Sequence, residues 1–404
     1  MKFSKLSQLI LVSTAGLLMA SLLTACQIVT IDYVFVANSS GSGSSSAGQI
    51  QTYDVDSESG ALRVGQPNLP SGGTNPVSMA ISSDFANLYV ANQGTASVGG
   101  NVVHFALAGN GVLTQKDTVT PGTAPVSLAV NQAGSYLYVA SGTNSATLTA
   151  YPLSSGTMGT AAAQETLTVP GFAGDIIVPT AVTALANNNA VYVTAYDKSA
   201  YNPGGTTTSI ANPGWIFGFT VGSGGALTPA AGSPWKAGVK PTAVAADPTS
   251  RFVYATDFAS NELIGYTIQS GSVLSFLING PFKTGNEPTA VVIDPRGKYI
   301  YVTNALDSSV STYVIDLATG TPSGSPGATI NSTDTEPVAV IVDAALGRFV
   351  YTANHLGNSI SGFRMDTDTG AISGTQASPY PAGANPTALV SVPHGNHAIQ
   401  TITP

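Results

Sequence analysis

The stretch PTAVVIDPRGKYIYVTN, residues 288–304, carries the pattern that decides the fold. Apolar residues alternate with period 2 over Thr289–Ile293 and again over Tyr299–Thr303, so both halves read as β-strands. The link between them, Asp294-Pro295-Arg296-Gly297, reads as a tight hairpin turn. There Pro sets φ and Gly accepts a positive φ. A third strand follows over Val310–Ile315, and a weaker fourth in the Gly/Pro/Ser-rich remainder.

The phrase recurs. It reads PVSMAISSDFANLYVAN at 76–92, PVSLAVNQAGSYLYVAS at 125–141 and PTAVTALANNNAVYVTA at 179–195. It returns as PTAVAADPTSRFVYATD at 241–257, PVAVIVDAALGRFVYTAN at 337–354 and the partial PTALVSVP at 386–393. Successive prolines lie 49, 54, 62, 47, 49 and 49 residues apart. Four short strands on such a period are the mark of a β-propeller. The expected fold is therefore all-β: one domain over 31–404, a seven-bladed propeller of four-stranded antiparallel blades, with no helix after Ile31. Six units run from Pro76 to Asn385. The seventh joins 31–75, which begins at a second strand, to 386–404, which supplies the first. Such closure removes the open sheet edge that templates aggregation.

Tyr301-Val302-Thr303-Asn304 with SSVSTYVID at 308–316 resembles the YVTN repeat family of β-propellers. The wider pattern resembles the lactonase family of seven-bladed propellers, which includes propeller-type 6-phosphogluconolactonases. SPWKAGVKP at 233–241, GPFKTGNEP at 280–288 and SPYPAGANP at 378–386 belong to that resemblance, which spans the chain after its N-terminal segment. It implies a lactone-hydrolysing enzyme. The family's Gly-Pro-Arg-His start and its Asn-Glu after a tyrosine strand have no match here: the residues following the prolines are Val-Ser, Thr-Ala or Val-Ala. Family catalytic residues are therefore not carried over.

The N-terminus reads as an address. Lys2 and Lys5 precede an uncharged, mostly apolar run that ends in Leu23-Thr24-Ala25-Cys26. That order of charge, apolar run and small residues is secretory. The Cys after Leu-x-Ala resembles the bacterial lipobox, which implies a signal peptide over 1–25, lipidation of Cys26 and a short tether over 26–30. The expected partner is thus a membrane, through the lipid anchor. Gln27 after Cys26 favours the outer membrane in a host with two. Cleavage removes two Lys and no acid, taking the net charge from −8 to −10. Anchoring then rests on acyl chains rather than on a basic patch.

Composition excludes several classes. The chain has 13 Lys+Arg against 21 Asp+Glu, which argues against nucleic acid as a partner. Its single Cys excludes a disulfide framework and a multi-Cys metal site. His394 and His397 form H-x-x-H with no third ligand nearby in sequence. No cofactor is implied.

In a propeller, the link into each first strand and the loop after each second strand lie on one face, at the mouth of the central channel. The residues before the first-strand prolines include Asn75, Lys240, Glu287, Glu336 and Asn385; those ending second strands include Asp257, Asn304 and Asn354. Glu336, His355 and Glu287 are the candidate acid–base residues. Asn75, Lys240, Asp257, Asn304, Asn354 and Asn385 are candidate ligand contacts. Two carboxylates with Asn carbonyls also suit Ca²⁺, which nothing further in the sequence indicates. The 62-residue unit carries an insertion, 197–214, on the same face. Trp215 follows it, in the place of Glu262, Ser309 and Ser359, which read as solvent-facing. Trp215, Tyr196 and Tyr201 are therefore candidates to stack on a ligand. Trp235 aligns with Phe282 and Tyr380 and reads as packing.

Two functions fit these observations. One is a lipid-anchored, exported module binding a glycan, lactone or protein on its channel face, favoured because the family's catalytic motif is unmatched. The other is a lactonase-type hydrolase of a sugar lactone.

Overall fold

Each repeat proline lies at or near the start of an inner strand. In the computed structural model these are Pro76–Ile81, Pro125–Val130, Ile177–Ala184, Pro241–Ala246, Pro288–Ile293, Pro337–Val342 and Pro386–Pro393. Each contacts the next, and the last contacts the first, so seven inner strands ring one channel. The described residues are 29–39, 47–122, 124–171, 174–201, 213–324 and 331–394. Cys26 and the signal segment lie outside them, as do residues 202–212 of the insertion and His397. Among the described residues there is no α-helix.

From each inner strand the chain meanders outward in antiparallel order. In the repeat quoted first, Pro288–Ile293 pairs with Tyr299–Asn304, which pairs with Ser309–Ile315. The outermost strand is weak, as its Gly/Pro/Ser content predicts. In five blades it is split into two pieces that pair with the same third strand. Ring closure follows the expected join: Thr30–Asn38 pairs with Pro386–Pro393, Asp32 opposite Pro393 and Ala37 opposite Ala388.

Apolar faces pack blade on blade. Seven hydrophobic clusters are found among the described residues, and each spans two neighbouring blades. The repeat tyrosine of the second strand sits in these junctions and crosses them. The hydroxyls of Tyr89, Tyr192, Tyr254, Tyr301 and Tyr351 donate to the carbonyls of Gly156, Ser272, Gly320, Gly370 and Gly60 in the next blade, at 2.6 to 2.8 Å. Near the channel, Thr242, Thr289 and Thr387 donate to the inner-strand proline carbonyl of the following blade, each at 2.7 Å.

The closing junction holds a buried carboxyl pair. Asp32 and Asp343 are both fully buried. Asp343 accepts from the amides of Leu346, Gly347, Arg348 and Phe349. Burial, then the charge of Asp343, pushes the Asp32 carboxyl well above the usual carboxylate range.

Two stability predictions follow from these junctions. Tyr351→Phe leaves the buried Gly60 carbonyl unpaired and lowers stability by about 1–3 kcal/mol. Tyr138→Phe has no such cost, because the Tyr138 hydroxyl is buried with no hydrogen-bond partner among the described residues. Thermal melts of the two variants, side by side, check this. Separately, folded Asp32 retains a proton that the unfolded carboxyl releases near pH 4. Its contribution is complete below that pH and is lost as pH rises toward the folded-state value. Asp32→Asn therefore raises the melting temperature at pH 7–8 and flattens its fall with pH.

Candidate functional site at the channel mouth

Every inner strand begins with a bulge. Pro288 faces Asn304, but Ala290 already faces Thr303, and the same shift occurs at Pro76, Pro125, Pro179, Pro241 and Pro337. The bulge turns the residue before the proline toward the end where second strands finish. That residue's carbonyl accepts from the amide just past the second strand: Gln93 to Asn75, Phe258 to Lys240, Ala305 to Glu287 and His355 to Glu336. Each pre-proline residue is thereby tied to the mouth loop of its own blade.

Four consecutive blades put this residue in the left-handed region: Glu287 at φ 55°, Glu336 at 59°, Asn385 at 51° and Asn75 at 54°. Asn tolerates that conformation because its short side chain bonds locally. Asn75 donates to Gln93 Oε1 at 3.0 Å, and Asn385 lies 3.4 Å from His355 Nε2. Glu has no such compensation, and the left-handed region costs it on the order of 1 kcal/mol or more. The Glu287 and Glu336 carboxylates make no hydrogen bond or ion pair with the described residues, and both groups are only partly buried.

His355 turns toward the neighbouring blade. Its Nδ1 lies 3.3 Å from the Pro386 carbonyl, which only accepts, so Nδ1 carries the proton. Nε2 is then a lone pair facing the Asn385 amide. A base, a fixed tautomer and an orienting group therefore stand together. Glu336 joins them through the backbone, where the His355 amide donates to the Glu336 carbonyl at 2.8 Å.

One blade before Glu287, Lys240 forms a second centre. Its Nζ lies 4.4 Å from the ring centre of Phe258, 5.1 Å from Tyr201 and 5.8 Å from Tyr196, all within cation–π range. In the insertion-bearing blade the paired strands continue past the proline, with Val178 opposite Tyr196 and Ile177 opposite Asp197. That extension carries the two tyrosines across to Lys240. Burial pushes the Lys240 ammonium down from its usual value, and Glu287 draws it partly back. Tyr201 is pushed up by burial, with Tyr196, Asp257 and Glu287 adding to the effect.

The residues ending second strands differ from what their polarity suggests. Asp257, Asn304 and Asn354 are buried, not open to a ligand. Asp257 accepts from the amides of Val239 at 2.7 Å and Lys240 at 2.8 Å. Asn354 donates to Ser359 and Ser361, and Asn304 donates to Ser309 and Ser311. Trp215 is buried in the junction between the Pro125 and Pro179 blades, and the Lys236 ammonium covers its ring at 3.6 Å. Ser309 and Ser359, at the same strand position, are buried as well. Position 215 is thus a packing position, where an aromatic loses nothing by being apolar. Trp235 is partly buried against the next junction.

His104 escapes a motif search. Its ring is buried, stacks on Tyr89 at 5.0 Å, and lies between Asp117 at 2.7 Å and Asn87 at 2.9 Å. It faces Tyr89 across the strands, where other blades have Gly218 and Gly362, overlain by Trp235 and Tyr380. Its signal is a polar ring at a repeat position that holds Gly218, Gly265, Gly362, Ala150 or Thr312 in other blades. Asn87 opens the second strand, so this group lies toward the end remote from the mouth. His394 packs on Tyr33 at 5.0 Å. Among the described residues, no three or more His, Cys, Asp or Glu gather as a metal site would require.

Removing the Asp257 carboxylate would orphan the partly buried amides of Val239, Lys240 and Ala259 and release the loop that carries Lys240. Asp257→Ala is expected to cost about 2–5 kcal/mol, whereas Asn75→Ala, which loses one partly exposed bond, costs under about 1 kcal/mol. Thermal melts of the pair test the structural role of Asp257.

Comparison with known proteins agrees with this architecture. No curated protein gives a match. A periplasmic gluconolactonase of Pseudomonas aeruginosa superposes with a TM-score of 0.73 at 18% identity, covering 90% of this chain and 99% of that one. A putative 6-phosphogluconolactonase of Bacteroides fragilis gives 0.70 at 19% identity, covering 90% and 98%. One of Bacteroides uniformis gives 0.72 at 17% identity, covering 90% and 100%. The family described as "Lactonase, 7-bladed beta-propeller" matches residues 36–174 and 240–399, so the chain belongs to the seven-bladed lactonase family of β-propellers.

Proposed function

We propose that this protein hydrolyses an unphosphorylated sugar lactone outside the cytoplasm, anchored to a membrane through lipid on Cys26. One observation carries the catalytic reading. Glu287 and Glu336 occupy left-handed backbone positions that the repeat elsewhere fills with Asn, and their carboxylates remain unspent. Backbone strain without a structural return points to a role in function. Family membership and the periplasmic gluconolactonase neighbour support the same reading. The lipobox-like Leu23-Thr24-Ala25-Cys26 supports the anchor and export.

Once the Asn385 amide, 3.4 Å away, gives up the Nε2 lone pair, His355 Nε2 accepts a proton from water as the water oxygen attacks the lactone carbonyl carbon. Glu336 accepts the water's second hydrogen bond and holds its orientation. When the bond from carbonyl carbon to ring oxygen breaks, the imidazolium returns its proton to that oxygen. The product is a hydroxy acid, which ionises and releases one proton to solvent. Glu287 accepts hydrogen bonds from sugar hydroxyls.

A pH-stat assay on protein beginning at Gln27, which keeps every described strand, tests this with sugar lactones. Turnover is expected. His355→Gln should lower it by about 10²-fold or more, as loss of a general base does. Glu336→Asn should lower it comparably while raising the melting temperature, because Asn relieves the left-handed strain by up to about 1 kcal/mol. Absence of turnover on every lactone would leave the binding module as the function of the mouth.

A further inference from the structure

Lys240 brings a positive charge to an acidic mouth. Thirteen basic residues face twenty-one acidic ones in the whole chain, yet among the described residues no carboxylate lies within 4 Å of Lys240 Nζ. Glu287 is near enough to act on the ammonium electrostatically and too far to pair with it. The ammonium carries three N–H donors, and aromatic faces satisfy charge without supplying acceptors of comparable strength.

The surroundings are held in place. The Asp257 carboxylate grips the Val239 and Lys240 amides. Tyr196 and Tyr201 stand edge to face at 5.6 Å, and the Tyr201 amide donates to the Asp197 carbonyl at 3.0 Å. In this arrangement the Lys240 ammonium and the Glu287 carboxylate lie within electrostatic reach without forming an ion pair. A prearranged, half-buried cation with donors to spare and rings beside it suits an anionic ligand that also has an apolar C–H face. A single ammonium with Glu287 close by suits one negative charge; a phosphate dianion would meet that glutamate without the guanidinium forks such groups favour.

We propose that Lys240, with Tyr196, Tyr201 and Phe258, forms a monoanionic carboxylate subsite that holds a polyhydroxy acid, with the carboxylate on Nζ and the carbon chain against the rings. The subsite deepens the lactone reading, on which its physiological meaning rests: the hydroxy acid that hydrolysis releases is the class of molecule it retains, so the product restrains the enzyme through Lys240.

Binding can be measured without turnover. Isothermal titration of protein beginning at Gln27 would compare D-gluconate, the neutral D-glucitol and 6-phospho-D-gluconate. Gluconate should bind at least ten-fold more tightly than glucitol. Lys240→Met should abolish the difference, Lys240→Arg should retain part of it, and Phe258→Leu should weaken gluconate several-fold with an unchanged melting temperature. Equal binding of gluconate and glucitol, or no binding of either, overturns the subsite. So does gluconate affinity unaffected by Lys240→Met, or a tighter, Lys240-dependent grip on 6-phosphogluconate. Lys240-dependent gluconate binding without hydrolysis of any lactone would sink the enzyme reading and leave the subsite standing. Hydrolysis unaccompanied by such binding would do the reverse.

Discussion

Five repeat tyrosines of this ring bond their hydroxyls to a carbonyl of the next blade. The Tyr351 hydroxyl reaches the Gly60 carbonyl at 2.7 Å across the closing junction. Gly60 has φ 69°, and a Cβ there would lie 2.3 Å from the Phe349 ring. The turn thus presses its bare backbone onto one aromatic of the preceding blade while a second aromatic binds its carbonyl. Hydrogen-bond length and van der Waals contact together set the spacing between blades. The hydroxyl bond recurs at five junctions, and at three of them a glycine turn also presses on an aromatic ring: Gly60 on Phe349, Gly320 on Phe252 and Gly370 on Tyr299. A consistent angle between blades lets the first and last segments meet as Thr30–Asn38 and Pro386–Pro393. The seven apolar clusters supply the bulk of the burial; the hydroxyl bonds supply the geometry.

With spacing set on the outer side, the mouth loops are free to differ, provided each is anchored. The anchor is the last residue of the second strand. Asp257 binds the amides of the incoming loop, while Asn304 and Asn354 bind hydroxyls across their hairpins. The Asp257 carboxylate and the Asn304 and Asn354 amide nitrogens are thereby consumed by the scaffold, while Asn304 Oδ1 is buried without a hydrogen-bond partner among the described residues. The pre-proline residue is what remains for function. Its bulge frees it from strand pairing, and its backbone is already held by the loop behind it.

The fold was legible because its determinants are periodic. A proline every 47 to 62 residues and a tyrosine in each second strand repeat one set of contacts, so six copies and a split seventh report on one another. The ring closure was legible for the same reason: the N-terminal copy begins at the second strand. At the mouth, periodicity helped with position and failed with exposure. Polar type suggested that Ser309 and Ser359 face water, yet both are buried beside the amides of Asn304 and Asn354. Position 215 has no fully solvent-facing counterpart: Glu262 is partly buried, and Ser309 and Ser359 are buried. Tyr196 and Tyr201 were legible as mouth aromatics, but their convergence on Lys240 depends on a neighbouring blade, which no single repeat encodes. His104 was missed because a lone buried histidine carries no spacing signal.

The charges at the mouth follow from the same division between scaffold and loop. Here Asp257 holds one loop, the bulge and its carbonyl bond hold the next, and the aromatic rings shield the ammonium. Opposite charges stay close without neutralising each other, on backbone that is strained at the glutamates and unstrained at the lysine. Separated charges beside apolar rings interact more strongly with a ligand than they would in water, because less solvent must be reorganised when it arrives. The stability set aside in keeping them apart is recovered only when a ligand supplies the missing partners. For Lys240 that partner is an acceptor, and for Glu287 and Glu336 it is a donor. A polyhydroxy acid carries both, its carboxylate for the lysine and its hydroxyls for the glutamates, whereas a neutral lactone offers the glutamates their donors and leaves the lysine waiting until the ring has opened.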